Sequence, residues 1–538
     1  MKRSSLLVGA TLLLLPCMAS ADNLSTGSPA NTFDIDQTFV QTAAGQPNQL
    51  TDFRWLPDGR LVITVKTGQV YVRPAGGGAL LMAGTFLVDT ESEKGLLGVA
   101  IHPQFGTTGQ LIWYYSAKDP TPPPAGDGSD MDRHRVVVRT LNAQNQLGAG
   151  ETVLVRNLRG PANHDGGALE VGSDGFLYIG VGDTGCNSGR IPEPIYTPTN
   201  YYGTCLADDP TQKGGGNGKI LRVNIDGSIP ASNPLVGSGD VTQCANACGT
   251  APTTFAAGRQ ELFAWGFRNP FRIWMDPVTN KLWVGDVGEV SYEEINIVER
   301  GRHYGWPWRE GRHGNPVAKC RDIRVGTNGG TPVMDQDCVE PIYNCRHGRA
   351  GLDTTVDPGC DSITGGMIVD SCNWPAPYKG RYFFGDNANG TLYSLPINAA
   401  RDGVAGAREN FGAVSGTPTA IRVGPDGALY YSVLQGNANP GRIVRISPKT
   451  PVACQPGMDG GVIGPTVDGA VGPTVDGAVG PTVDGAVGPT VDGGTTGDGD
   501  DSGCGCRAGA RSGAPGAPLL GGLLVLGLVL VALRRRRR

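Results

Sequence analysis

The sequence predicts an all-β fold, a six-bladed β-propeller over residues 34–449 with long loops stapled by disulfides. Glycine is abundant, with 84 residues, and aromatic residues make up 7% of the chain, which is typical of short strands and tight turns. A turn that contains aspartate also recurs before an alternating apolar strand, and a second strand that opens on glycine follows three of the four copies. The turn–strand segments are 56–63, 172–179, 276–284 and 424–431, and the second strands are 68–73, 218–223 and 441–446.

These segments predict how the sheet is organised. An Asp-Gly turn favours a tight hairpin, and the alternation of apolar and polar residues buries one face of each strand. A single hairpin cannot bury that face alone, so we expect the copies to stack on one another. At roughly 45 to 70 residues per blade, six blades of four antiparallel strands fit the segment 34–449. A pair of stacked sandwiches is the alternative, but it explains the recurring segments less well.

The N-terminal residues 1–21 predict a signal peptide for export. Two basic residues precede an apolar core at 6–15, and an Ala-Ser-Ala sequence that ends at Ala21 offers a cleavage site. Cys17 admits a lipoprotein signal, but the proline directly before it fits that pattern poorly. We therefore expect ordinary cleavage after Ala21.

Ten cysteines lie in the body of the chain, mostly in stretches rich in Gly, Asp and Asn. In an exported protein they predict disulfides that staple long loops, and their pairing stays open. Cys244 and Cys248 suggest a metal knuckle, but no second Cys or His pair follows at zinc-like spacing. The ten residues are Cys186, Cys205, Cys244, Cys248, Cys320, Cys338, Cys345, Cys360, Cys372 and Cys454.

The charge of the chain argues against a nucleic-acid partner. The formal net charge is −5, and the charged residues of both terminal segments are all basic, so the net charge of the body is more negative than this value. Nucleic acids require basic patches, which an acidic body does not supply. We expect contact with a membrane only through the C-terminal tail or a lipid.

The C-terminal part predicts a spacer and a surface anchor. Residues 450–503 are rich in Gly, Pro and Asp and repeat an octapeptide, so they predict a solvated linker. Residues 504–538 combine a Cys-Gly-Cys-Arg sequence, an apolar run long enough for a transmembrane helix and five arginines. This tail resembles the myxobacterial C-terminal sorting tail, which implies processing near Cys504 or Cys506 and display on the cell surface or outer membrane through a lipid. A plain membrane anchor is the alternative, and both place the propeller outside the cytoplasm.

The segment 160–183 holds the strongest candidate for catalysis, His164. This histidine lies between an asparagine and an aspartate, and two glycines and two short strands follow the aspartate, so it lies on a loop that enters the sheet. Glycines let the backbone approach a ligand closely, and an imidazole accepts a proton near neutral pH. A histidine that only fixes its own loop through hydrogen bonds is the alternative.

Three further segments carry residues suited to a ligand site. The segment 93–105 contains an apolar strand that ends at His102, which we expect to be structural. Arg268 and Asn269 stand directly before a proline, which disfavours a helix and keeps them on a loop. The segment 285–308 gathers carboxylates, bare backbone carbonyls and aromatic residues, and hard oxygen ligands of this kind suit Ca²⁺.

Six short motifs along the chain occur in the same order as in the soluble quinoprotein glucose/sorbosone dehydrogenase family, which the sequence therefore resembles. This family contains the PQQ-dependent aldose sugar dehydrogenases. The set is specific although each motif alone is weak, and the resemblance implies a six-bladed propeller with pyrroloquinoline quinone (PQQ) and Ca²⁺ at one end of its channel. The motifs are Leu-Leu-Gly-Val-Ala-Ile-His-Pro at 96–103, Asn-His-Asp-Gly-Gly at 163–167, Phe-Arg-Asn-Pro at 267–270, Gly-Asp-Val-Gly at 285–288, Glu-Ile-Asn at 294–296 and His-Tyr-Gly-Trp-Pro at 303–307.

The resemblance also implies roles for individual residues. His164 would be the general base that takes the proton from the anomeric hydroxyl of an aldose, while hydride passes to the quinone. Arg268 would bond the quinone oxygens and stabilise the negative charge of the reduced cofactor. The electrons would then pass to an acceptor other than oxygen. The other implied cofactor-binding residues are Glu93, Asn163 and Asn269, and the implied Ca²⁺ ligands are the carbonyls of Gly288 and Glu289.

The sequence departs from the family pattern at several of these positions. Glu93 stands where the family carries a glutamine, and the segment Asp-Asn-Ala-Asn-Gly at 386–390 stands where the family carries a lysine. Thr417 and Thr419 stand where the family carries two arginines that pair with the carboxylates of PQQ. Buried carboxylates without cationic partners are costly, so other cations would have to compensate.

These departures leave room for other functions. Arg401, Arg422 or an arginine in an insertion are the candidates to replace the missing cations. Without such a replacement, the alternative is a non-catalytic binding module, like the propeller of Hedgehog-interacting proteins. A Ca²⁺-dependent lactonase is a third interpretation, but no Gly-x-Ser-x-Gly or His-Glu-x-x-His motif supports hydrolysis.

Overall fold

The chain forms six blades, each a four-stranded antiparallel sheet, which confirms the predicted all-β propeller. Blade 1 contains Leu50–Trp55, Leu61–Val65, Gln69–Arg73 and Leu81–Thr85, and blade 2 contains Leu96–Ile101, Gln110–Ser116, His134–Thr140 and Thr152–Leu158. Blade 3 contains Ala168–Val171, Phe176–Val181, Lys219–Asn224 and Leu262–Trp265, and blade 4 contains Pro270–Met275, Leu282–Asp286, Tyr292–Val298 and Tyr343–Arg346. Blade 5 contains Ile363–Val369, Arg381–Asp386, Thr391–Pro396 and Glu409–Ala413, extended by Asn23–Leu24. Blade 6 contains Thr417–Val423, Leu429–Leu434, Arg442–Pro448 and Phe33–Gln41.

A few short elements lie outside the blades. They are the strand pairs Arg309–Glu310 with His313–Gly314 and Cys320–Asp322 with Val333–Gln336, and the helices Ser28–Thr32 and Phe105–Thr108. The computed structural model describes residues 22–42, 48–118, 133–158, 160, 163–183, 216–236, 260–289, 291–306, 309–314, 320–322, 333–336, 339–347, 359–434 and 441–454. All of them belong to one of the two compact units into which the chain divides, residues 1–468.

The predicted signal peptide, most of the linker and the whole C-terminal tail lie outside these residues, so these segments stay predictions. Among the helices that the structure describes, none is long and apolar enough to cross a membrane.

The N-terminal strand closes the ring. Phe33–Gln41 pairs with Arg442–Pro448 and thereby becomes the outer strand of blade 6. The first strand of each blade contacts the first strand of the next, including that of blade 6 with that of blade 1, so these six strands line the central channel. Because every blade runs outward in the same order, all six start at the same end of the channel, which we call the mouth.

The recurring aspartate turns have the geometry that the sequence predicts. Asp58, Asp174 and Asp426 each accept a hydrogen bond from the backbone N–H two residues later, at 3.1, 3.2 and 3.1 Å. The glycines that follow them have positive φ angles of 83°, 81° and 75°. In two of these turns a tyrosine four residues after the aspartate, Tyr178 or Tyr430, also donates its hydroxyl to the carboxylate. The turn thus fixes the strand that follows it.

Two disulfides join chain segments around blades 4 to 6. Cys345, in the last strand of blade 4, bonds to Cys360, and Cys372 bonds to Cys454 behind the last strand of the propeller. The second bond fastens the end of the propeller to blade 5. The predicted use of cysteines as staples is confirmed for these four, and the side chains of the other six lie outside what the structure describes.

A layer of charged side chains crosses the channel beyond the mouth. Arg272 of blade 4 donates through Nη2 to the carbonyl of Thr51 in blade 1, on the opposite side of the ring, at 2.6 Å. Two ion pairs complete the layer, Arg422 Nη2 with Asp52 Oδ1 at 3.0 Å and Arg54 Nη2 with Glu170 Oε2 at 2.9 Å. These contacts tie several blades together across the channel. The channel layer consists of Asp52, Arg54, Glu170, Arg272 and Arg422.

Candidate active site

His164 lies at the mouth and is held by a carboxylate. Its Nδ1 is 2.5 Å from Oδ1 of Asp183, and Oδ2 of Asp183 accepts a hydrogen bond from Nε1 of Trp306 at 2.7 Å. The His164 side chain is 11% exposed, and its Nε2 has no partner among the described residues. An ionised carboxylate can only accept, so Nδ1 carries the proton and Nε2 is the basic nitrogen.

The backbone around His164 is a strained, tightly packed turn. His164 itself has a φ of 56°, in the left-handed region that costs a residue with a side chain roughly 1 kcal/mol or more. Gly167 follows at φ 99°, and a Cβ atom there would lie 2.5 Å from the Cβ of Leu97. Only glycine therefore lets the turn approach blade 2 this closely.

Glu93 and Asn163 hold the same turn. Oε2 of Glu93 accepts the backbone N–H of His164 at 2.9 Å, and that of Asp165 at 3.4 Å. Oδ1 of Asn163 accepts the hydroxyl of Ser92 at 2.8 Å. The Glu93 side chain is open to solvent, but the protein around the mouth partly desolvates its carboxyl and raises its pKa. Both predicted cofactor-binding residues thus lie beside His164.

Arg268 lies at the same end of the channel as His164. Its carbonyl accepts the backbone N–H of Asp183 at 2.7 Å, and its guanidinium carbon lies 5.6 Å from the ring centroid of Trp306. Asp183 and Trp306 therefore connect the imidazole with the guanidinium. The structure brings together the two residues that the sequence singled out as catalytic, although about a hundred positions separate them.

Asn269 is placed by a carboxylate and keeps part of its amide free. Oδ1 of Asp286 accepts its backbone N–H at 2.7 Å, and Oδ2 accepts that of Arg268 at 3.1 Å. The side-chain oxygen of Asn269 and Nε of Arg268 are buried without a hydrogen-bond partner among the described residues. A Cβ atom on Gly182 would lie 2.9 Å from that oxygen and 2.1 Å from the carbonyl of His164, so Asn269 borders the His164 turn.

Buried carboxylates orient the loop that carries Gly288 and Glu289. Oε1 of Glu310 accepts the backbone N–H groups of Glu289, Ser291 and Tyr292 at 2.8, 2.8 and 3.0 Å. In a trans peptide the carbonyl points away from the N–H, so the carbonyl of Gly288 is turned away from Glu310. It accepts Nη1 of Arg268 at 2.7 Å instead.

The same loop is surrounded by carboxyl groups that resist ionisation. Burial raises the pKa of Asp286 well above its usual range, and it raises the pKa of Glu294 to about 7. At the neighbouring end of blade 5, burial raises the pKa of Asp386 to about 6. A bound cation would lower the cost of ionising these groups. Their oxygens accept backbone N–H groups, however, and the described residues contain no cluster of His, Cys, Asp and Glu side chains able to hold a metal ion.

The positions where the family carries basic residues are occupied by short polar side chains. The hydroxyl of Thr419 donates to the carbonyl of Leu50 at 2.8 Å and fixes two neighbouring first strands. Thr417 is the first residue of its strand, and Asp386 closes a turn by accepting the N–H of Ala388 at 3.0 Å. Within the described part of the chain, these positions supply no cation.

The two arginines considered as replacements have other partners. Arg422 pairs with Asp52 in the channel layer. Arg401 pairs with Asp276 at 2.7 Å and with Asp370 at 2.5 Å. Asp276 follows the last residue of the first strand of blade 4, so Arg401 lies at the end of the channel opposite the mouth. Neither arginine is free to replace the missing cations at the mouth.

Sequence reasoning missed the residues that hold His164 in place, Asp183 and Trp306. Asp183 lies two residues after a buried strand, at the end of the segment that contains His164. A carboxylate at the end of a strand next to a candidate base was a usable signal. Trp306 belongs to a recognised motif, but its contact with Asp183 spans 123 positions and depends on the closed ring.

Comparison with known proteins finds one matching family model and several relatives of low sequence identity. A family model described as Glucose / Sorbosone dehydrogenase matches residues 47–445. Quinoprotein glucose dehydrogenase B of Acinetobacter calcoaceticus is 26% identical over 293 residues, which are 52% of this chain and 53% of that protein. Aldose sugar dehydrogenase YliI of Escherichia coli is 24% identical over 402 residues, 73% of this chain and 89% of that protein. The HIPL2 protein of Arabidopsis thaliana is 24% identical over 346 residues, 56% of this chain and 43% of that protein.

The chain spans 65% of the length of a related protein from Synechocystis and 53% of that of the Acinetobacter enzyme. Among solved structures, the soluble aldose sugar dehydrogenase of Escherichia coli in its apo-form has a TM-score of 0.56 at 21% identity, over 78% of this chain and 100% of that chain. The PQQ-bound aldose sugar dehydrogenase of Streptomyces coelicolor has a TM-score of 0.51 at 18% identity, over 77% and 98%. At these identities the likeness supports the fold alone. Because the family model matches most of the chain, the protein belongs to the glucose/sorbosone dehydrogenase family.

Proposed function

We propose that the protein oxidises an aldose at its anomeric hydroxyl, with PQQ and Ca²⁺, and passes the electrons to an acceptor other than oxygen. One observation carries the proposal. A histidine with an open Nε2, fixed by Asp183, lies at the same mouth as Arg268. Membership of the family supports the same chemistry.

The residues present allow His164 to act as the general base. With its proton on Nδ1 and directed at Asp183, the imidazole accepts the proton of the sugar hydroxyl at Nε2. The Asp183 carboxylate then stabilises the imidazolium, and Trp306 keeps that carboxylate in place. When bound, PQQ supplies a quinone that takes up two electrons, and Ca²⁺ supplies a Lewis acid.

The site fits a polar, planar cofactor in part. Arg268 and Asn269 carry buried polar atoms that have no hydrogen-bond partner in the described part of the chain, and these two residues would hold the quinone. The carbonyl of Gly288 accepts Nη1 of Arg268, so it would hold Ca²⁺, together with the carbonyl of Glu289, once that guanidinium turns to the quinone. Thr417 and Thr419 cannot neutralise the cofactor's carboxylates, so we expect weak affinity for PQQ.

A direct assay tests the proposal. The full chain, produced in an oxidising host, is mixed with PQQ and CaCl₂ and assayed with aldoses and a redox dye. We expect dye reduction that requires PQQ and that His164→Asn lowers by about 10²- to 10⁴-fold, the usual contribution of a general base. PQQ binding is measured separately by fluorescence titration.

A protein that folds but does not bind PQQ would contradict the enzymatic proposal. That result would favour a non-catalytic binding module, the second candidate. The observation behind this candidate is the absence of cations at Thr417 and Thr419, whose positions supply only hydroxyls.

We also propose that the protein is exported and displayed on the cell surface. Support comes from the predicted signal peptide and from the apolar tail that ends in arginines. Mass spectrometry of the surface form should find cleavage after Ala21 and no peptide that contains Arg538. Recovery of that peptide from the surface form would refute processing of the tail.

A further inference from the structure

A second imidazole–carboxylate pair lies directly behind His164. His134, in the third strand of blade 2, contacts Oδ1 of Asp165 through Nε2 at 2.9 Å, and Asp165 is the residue that follows His164. The side chains of this pair are 0% and 1% exposed. The pair touches neither the open nitrogen of His164 nor Arg268, so the reaction described above does not use it.

The hydrogen bonds of His134 place a proton on its Nε2. The hydroxyl of Ser116 accepts the backbone N–H of Gly95 at 3.2 Å and lies 3.1 Å from Nδ1 of His134. The partner of Nε2 is a carboxylate, which only accepts, so Nε2 carries a proton. That proton is donated to the carboxylate of Asp165.

Asp165 is fixed by its main chain as well. The hydroxyl of Tyr114 donates to the carbonyl of Asp165 at 2.9 Å. The carboxylate of Glu93 accepts the backbone N–H of Asp165 and that of His164. These contacts enclose the residue directly after the left-handed turn of His164. A strained turn persists only where its surroundings determine it fully. Among the described residues, His134 is the only hydrogen-bond partner of the Asp165 side chain.

We propose that His134 is the positioning residue for His164: by holding the carboxylate of Asp165, it maintains the strained turn that aims the imidazole of His164 at the substrate. This inference rests on the proposed role of His164 as the base. It assigns to a fully buried side chain an effect on the rate and not only on stability. A shift of about 1 Å in a catalytic group is enough to lower a rate by about 10²-fold.

Two substitutions of His134 separate positioning from simple packing. In His134→Gln the amide nitrogen takes the place of Nε2 and still donates to Asp165, whereas in His134→Asn the shorter amide reaches only the place of Nδ1. Both variants lose the ring, and they differ from each other by one methylene group. We expect His134→Asn to lower kcat by about 10- to 100-fold with little change in KM, and His134→Gln to retain most of the activity. Equal losses in the two variants would overturn the proposal.

A second measurement needs no cofactor and no turnover. The short hydrogen bond between Nδ1 of His164 and Asp183 should give a far-downfield proton resonance, which is assigned by its loss in His164→Asn. The signal should shift or vanish in His134→Asn and stay in place in His134→Gln. If it stays in place in both variants, His134 does not position His164. Should the wild type oxidise no aldose, the proposed function fails, while this signal still tests the positioning.

The control is the other buried histidine of blade 2, His102, whose Nδ1 accepts the N–H of Gln104 at 3.2 Å. His102→Asn also removes a buried ring, but far from the turn of His164. We expect it to leave kcat and the resonance unchanged. A change in either would show that loss of packing in blade 2 is sufficient to disturb the site, and would overturn the proposal.

Discussion

The mouth and the channel layer both contain a buried aspartate paired with a nitrogen-containing side chain. The two pairs differ in whether a polar atom of the partner side chain stays free to bind a ligand. Asp183 binds His164, whose Nε2 stays without a partner among the described residues. Asp52 binds Arg422 and also accepts the N–H groups of Phe53 and Val99, so both of its oxygens are used. The atom left free, and not the presence of a charged pair, distinguishes a site from a structural link.

The environments of the carboxyl groups differ in the same way. Burial tends to raise the pKa of Asp52, but Arg422, Arg54 and Arg272 outweigh it and hold that pKa below its usual value. At the mouth, Glu294 and Asp386 lie deep in the protein without such cations, and their pKa values are raised. The channel layer therefore holds compensated charge, whereas the mouth holds carboxyl groups that would gain from a cation.

The largest effect is expected from Asp183→Asn. The amide donates to Nδ1 of His164, so the proton moves to Nε2 and the imidazole no longer accepts the sugar proton. We expect kcat to fall by about 10²- to 10⁴-fold, while the amide oxygen still accepts Nε1 of Trp306 and the melting temperature changes little. Dye-linked assays and thermal melts of the same preparation measure both. A variant with near wild-type kcat would contradict the assignment of the base.

The substitution Asp52→Asn should show the opposite behaviour. It leaves Arg422 buried without a charged partner, so the free energy of unfolding should fall by about 3 to 5 kcal/mol, while kcat of the folded fraction is unchanged. Denaturant titration measures the loss. The matched control is Asp58→Asn, which removes a 44% exposed partner of Arg60 and should cost less than about 1 kcal/mol. Similar losses in both would mean that the channel layer is not a structural link.

A smaller effect concerns pH. Because the pKa of Asp386 is raised from 3.8 to about 6, the folded protein binds more protons than the unfolded chain between these values. Its contribution to stability is thus present at low pH and is lost as the pH rises through about 6. We expect the free energy of unfolding to fall by about 2 kcal/mol between pH 4 and 7, and less in Asp386→Asn. An identical slope in the variant would contradict this origin.

The sequence alone predicted the fold because the signal is local and repeated. The aspartate turns at Asp58, Asp174 and Asp426 close within a few residues, and each fixes the strand that follows. A hairpin of this kind has few ways to bury its face, so many copies predict a propeller. The sequence also named His164 and Arg268 as candidate site residues, since each lies in a motif next to a first strand.

The choice of partners was decided only by the tertiary structure. Arg268 and Arg272 are four positions apart, yet one borders the site and the other bonds to Thr51 across the channel, 221 positions away. Likewise Asp52 meets Arg422 across 370 positions, and His134 meets the residue after His164. Closing the ring brings distant first strands together. Burial of a charged group is costly without a partner, so the neighbour that each group meets decides how it is paired. Local sequence therefore determined the blades and the candidate base, whereas ring closure determined which charged groups stay free to act.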